Sequence, residues 1–252
     1  MFTQFTGLLW FIIMLLPLAV LQRLLHREIQ AVILITTRNP PLTVGLFSIL
    51  FLPGVVLHEF SHFIMAKVLG VKTGGFSVIP RPLPDGRLQL GYVETTKSDV
   101  VRDSLIGAAP LIAGSLFVAY TDIYHLHLNS LWIVLRNAQF DLFWMGLGVL
   151  PQLKDFYLWF YLIFTISSTM MPSESDRHAW LPLGLWVVVL FGLAVLAGAG
   201  PWMLENLAPS LNSFLSSVAV LFGLSAGVHA ISVLPVMLVH RVLTRMTGVD
   251  VK

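Results

Sequence analysis

Six long apolar runs constrain this chain more than any other feature: residues 5–25, 42–69, 104–124, 156–171, 182–199 and 213–240. A helix of about 20 apolar residues spans a hydrocarbon core of about 30 Å. Inside that core backbone groups must find partners within the protein, which favours helices. The expectation is an all-α polytopic membrane protein of about six transmembrane helices. It folds as one membrane-embedded domain over 1–252, with the lipid bilayer as its first partner. Composition agrees: 56% of residues are apolar and 11% charged, where a soluble domain carries about 25% charge. There is no cysteine, which excludes disulfides and thiolate metal sites. The net charge of +2, without a basic run, argues against a nucleic-acid partner.

The first run has no Lys or Arg before it, and Arg23, His26 and Arg27 follow it. This is the order of a retained span, not of a cleaved signal. Residues 28–37 either lie along the membrane surface or extend the first helix. Asn39-Pro40-Pro41 breaks the chain and starts the second helix, which Pro53 can kink. Residues 71–103 form the one substantial polar segment. Within it 74–79 and 88–93 read as the strands of a small β-hairpin, joined by a turn ending Asp85-Gly86. Its open edge suits an extended peptide. Leu105 to Gly114 is rich in small residues, which points to close helix packing. Trp132 to Leu150, interrupted by Arg136, Asn137 and Asp141, lies in the interface or re-enters. His125 and His127 read as solvated. Gly198 to Pro201 ends the fifth run, and His229 in the sixth reads as a polar contact between helices. With both ends on the cytoplasmic face, nine basic residues fall inside and five outside, in line with the positive-inside rule.

One polar motif stands inside these runs: His58-Glu59-Phe60-Ser61-His62. Histidines four apart share one helix face, one turn apart. That spacing brings two imidazoles to a single Zn²⁺, with Glu59 turned toward a water as general base. An ionisable group at membrane depth is itself a pointer to function. A second polar cluster follows the fourth run, where Pro172 precedes Glu174, Asp176 and His178.

These residues resemble the site-2 proteases, the intramembrane zinc metalloproteases. The likeness covers roughly residues 45–180. It rests on His58-Glu59-x-x-His62 in a membrane helix, the hairpin segment, the Ala108-Ala109-Pro110 helix and the late acidic motif. Members carry a pattern of the kind Asn-x-x-Pro-x-x-x-Leu-Asp-Gly, whose Asp is the third zinc ligand. Here Thr169 stands at the Asn position, Pro172 matches, Asp176 comes one residue early and Arg177 replaces the Gly. The resemblance implies a zinc metalloendopeptidase with His58, His62 and Asp176 as metal ligands and Glu59 as the catalytic residue. Its substrates would be membrane-protein or peptide segments. It also implies a multi-pass protein, expected in the plasma membrane of a prokaryote with the active site toward the cytoplasm. Glu174 is the second candidate ligand and would give a membrane metalloprotease of the Glu-ligand class. His178 is the third, or a partner that orients Asp176. A non-catalytic ion-binding or transport protein is the rival from another class. The sequence does not set the oligomeric state.

Overall fold

The computed structural model describes residues 6–82, 88–249 and 251. It is an all-α membrane protein with one small β-hairpin. The helices are α1 (Thr6–Thr37), α2 (Pro40–Val68), α3 (Val100–Thr121), α4 (Leu128–Arg136), α5 (Phe140–Val149), α6 (Phe156–Thr169), α7 (Trp180–Ala194), the single turn α8 (Gly200–Trp202) and α9 (Ala208–Thr247). Residues 28–37 extend α1. The break before α2 works as the sequence suggested: the Asn39 side chain accepts from the Leu42 N–H at 3.1 Å, and prolines fill the first helical positions. Asp99 caps α3 in the same way, accepting from Val101 and Arg102.

The polar segment forms two short antiparallel ladders. β1 (Thr73–Ser77) pairs with β4 (Tyr92–Thr95), and β2 (Arg81–Pro82) with β3 (Leu88–Gln89). The Asp85-Gly86 turn lies outside the described residues. Trp132 to Leu150 is a pair of short helices, α4 and α5, with Gly146 against Leu131.

Among the described residues, four helical runs are long and apolar enough to cross a membrane: Thr6–Thr37, Pro40–Val68, Val100–Leu126 and Trp180–Thr247. The last is broken at Gly198, whose φ of 89° is left-handed. α6, with 14 residues, spans only about 21 Å. It is the most enclosed helix, with Ile163 to Ser168 all buried.

Contacts along the helices fix their directions. Gly7 N–H donates to Asn212 Oδ1 at 2.6 Å, and His240 Nδ1 meets Glu28 Oε2 at 2.6 Å, so α1 and α9 run parallel. Tyr161 donates to the Leu50 carbonyl, and His58 reaches the Thr169 carbonyl, so α2 and α6 also run parallel. α3 runs against α6: Gly107 faces Asp176, and Gly114 faces Met170. α1, α2, α3, α6 and α9 therefore alternate in direction. The stretch between α6 and α9 leaves and returns on one face. Trp180 donates to the Ser104 carbonyl at the start of α3, and Asn212 sits beside Gly7 at the start of α1.

The expected count of about six spans is not confirmed, and the like direction of α1 and α9 departs from the expected placement of both ends on one face. A first and a last span of like direction need an odd number of crossings. Among the described residues the thirteen Lys and Arg divide six and seven between the two ends of the bundle. The charge bias behind the cytoplasmic orientation disappears.

The main apolar core joins α1, α2, α6 and α9 through Leu25, Phe47, Phe51, Ile163 and Val228. His229 is wholly buried at that junction. Its Nδ1 donates to the Ser225 carbonyl and its Nε2 accepts from Ser168 Oγ, each at 2.8 Å. It is the interhelical polar contact its sequence position suggested.

Candidate metal centre

His58 and His62 sit on one face of α2 with ring centroids 4.8 Å apart. His58 Nδ1 meets the Thr169 carbonyl and His62 Nδ1 meets the Ile106 carbonyl, both at 2.7 Å. A carbonyl only accepts, so each Nδ1 carries the proton, and each neutral ring presents an Nε2 lone pair. The two Nε2 atoms face each other at 3.2 Å. Asp176 closes the group, with Oδ1 3.3 Å from His62 Nε2 and Oδ2 3.7 Å from His58 Nε2. Among the described residues these three form the one group able to hold a metal ion, with donor atoms within 4.8 Å of one another.

The Ile106 carbonyl is available because of a proline, and the Thr169 carbonyl because its helical donor is diverted. In α3, Ile106 O would normally bond the N–H of residue 110, but Pro110 has none. Pro172 similarly leaves Ser168 O without its helical donor, and the Gln22 amide nitrogen takes it instead. Thr169 O would pair with Ser173 N–H, which donates to Asp176 Oδ2 at 2.7 Å. Freed carbonyls at two helix interruptions thus set the tautomer of both histidines. Such outer partners govern ligand geometry in metal sites.

The segment bearing Asp176 is tied to α3. Gly107 lies directly against the Asp176 backbone carbonyl, where any Cβ would overlap it. Ser104 Oγ donates to the Ala179 carbonyl at 3.1 Å. Burial opposes ionisation of Asp176. The Ser173 N–H, donating to Oδ2, supports the ionised form.

Glu59 is buried on the same helix. Gly91, at the start of the returning hairpin strand, packs on it so closely that a Cβ there would stand 2.7 Å from Glu59 Cγ. Glu59, the three candidate ligands, Gln22 and His26 of α1, and the hairpin residues Gln89 to Val93 line one cavity of about 1000 Å³.

The other sequence candidates fall elsewhere. Glu174 is exposed and lines the cavity outside the ligand group. His178 turns away from the group: its Nδ1 meets the Ser175 carbonyl at 2.6 Å and its Nε2 lies 3.6 Å from Asp103 Oδ2. His125 stacks on Trp159 at 3.6 Å. Sequence reasoning missed the Ile106 and Thr169 carbonyls. The readable signal was a proline four residues after one of them and three after the other.

The donor set fits zinc. Ligand distances of 2.0–2.1 Å in a tetrahedron put donor atoms about 3.3 Å apart, close to the 3.2, 3.3 and 3.7 Å found here. Magnesium and calcium prefer all-oxygen surroundings. Set against protein-family models, curated proteins and solved structures, the chain matches none.

Proposed function

We propose that this chain is an intramembrane zinc metalloendopeptidase of the site-2 protease kind, hydrolysing peptide bonds in or near membrane-spanning segments of its substrates. One observation carries the reading. Two imidazole lone pairs and a carboxylate converge at ligand spacing, an arrangement that repels itself unless a cation sits among them. Three protein ligands with an open fourth position describe a catalytic zinc site. In this reading five crossings, α1, α2, α3, α6 and α9, carry the site.

His58, His62 and Asp176 would hold the ion. When bound, zinc supplies a Lewis acid that polarises a carbonyl and acidifies a water. Glu59 accepts a proton from the attacking water at its carboxylate and delivers it to the leaving nitrogen. Gly91 packs on the Glu59 side chain and holds the base at the cavity wall. A substrate helix has its backbone groups paired, so a segment must unwind before its carbonyl is open to attack. The hairpin edge at Gln89 to Val93 gives the unwound strand a partner. A Glu-ligand arrangement has less support, because Glu174 stands outside the donor group.

Glu59→Gln tests the reading. The purified variant is expected to keep one zinc per chain while hydrolysis of a membrane-segment substrate falls by at least about a hundredfold. Wild-type turnover by Glu59→Gln would overturn the mechanism.

A further inference from the structure

Among the described residues His26 is one of four with a buried polar atom that finds no partner, and the one that lines the cavity. Its Nε2 is buried and finds no hydrogen-bond partner, and no described residue bonds its other nitrogen. Its ring is wedged edge-on against Phe47 and Phe51, with centroids 5.5 and 4.7 Å away. A buried polar group without a partner opposes folding, and a native one calls for a reason. Gln22 lies one turn earlier on the same face of α1. Its amide nitrogen is committed to the Ser168 carbonyl. That partner only accepts, so the amide oxygen is the atom left over, and no described residue bonds it. The brace is itself anchored, since Ser168 Oγ bonds His229. Both side chains line the cavity that holds His58, Glu59 and His62.

We propose that Gln22 and His26 form a peptide-backbone subsite on the α1 wall of this cavity. Gln22 offers an acceptor to an N–H, and His26 offers a ring nitrogen to the adjoining peptide group. The ligand is an extended segment whose backbone is unpaired. Such a segment at membrane depth must draw every hydrogen bond from its surroundings. The hairpin edge serves one side of the strand, and α1 serves the other. From the proteolytic reading the inference takes only its ligand class, a peptide.

The test uses the full-length zinc-loaded chain in detergent, in the Glu59→Gln background. Its probes are a fluorescent 12-residue apolar peptide with a central Gly-Pro break and an analogue with one central amide replaced by an ester. Gln22→Met and His26→Phe keep side-chain volume and ring packing while removing the polar atoms. Each variant is expected to keep its zinc and to bind the amide peptide about tenfold more weakly. The parent should lose about tenfold on the ester analogue, and the variants much less. Equal discrimination against the ester by parent and variants would overturn the subsite, as would zinc loss in His26→Phe, which would move His26 into the metal centre. Failure of the parent to bind the amide peptide would overturn it too. Binding that depends on both residues, with no hydrolysis by the wild-type chain, would support the subsite while defeating the proteolytic reading.

Discussion

The helices around His58, His62 and Asp176 and the run from Trp180 to Leu207 are both strongly apolar, yet they are built differently. Around the site, α2, α3 and α6 are locked by polar braces: His62 to Ile106 O, His58 to Thr169 O, Ser104 to Ala179 O and Tyr161 to Leu50 O. α7 and the turns after it bury no residue, and Leu185, Val188 and Leu196 are widely exposed. Protein covers the first region, and the second is left apolar and exposed. Hydropathy cannot separate them. The difference lies in how interrupted backbone is used: around the site side chains of neighbouring helices take the released carbonyls, whereas the second region is also broken, at Gly198, yet buries nothing.

The largest effect expected from this contrast is at the ligand the braces position. Asp176→Ala should drop zinc from one per chain to near none, since two imidazoles and solvent remain, whereas Glu174→Ala should keep it. Metal analysis after detergent purification decides, and the reverse pattern would move the third ligand to Glu174. A smaller effect is expected one step out. Pro110→Ala restores an N–H that competes for the Ile106 carbonyl, so zinc affinity should fall by about tenfold. Competition with a chromophoric chelator measures it. Unchanged affinity would mean that His62 is oriented without help from the released carbonyl.

The smallest effect belongs to the unbraced region. Val188→Ala should shift the Tm in detergent by about a degree or less and leave zinc untouched, because the side chain is 69% exposed. A drop of several degrees would show that α7 packs against a partner, a second copy included, and would break the contrast drawn here.

Much of this was open to reading from sequence. The spacing of His58 and His62 places them on one face whatever surrounds them, and Asp176 follows a helix-ending proline. Gly107 and Gly114 were read as packing positions, and they let α3 approach Asp176 and Met170. Helix direction was hidden, because an apolar run looks the same from either end. The parallel course of α1 and α9 therefore escaped. His26 was hidden for a different reason. Beside Arg23 and Arg27 it looked like one more basic residue closing a span, and only packing shows it turned inward to Phe47 and Phe51.

The shared direction of α1 and α9 carries a consequence for control. The end of α9 lies at the opposite end of the helix bundle from the turns that carry Asp176. A factor that grips this end cannot reach the cavity by plugging it. Its signal would have to pass along the paired helices, through the Glu28–His240 contact toward Gln22 and His26, so that an event at one end of the bundle changes what is held at the other.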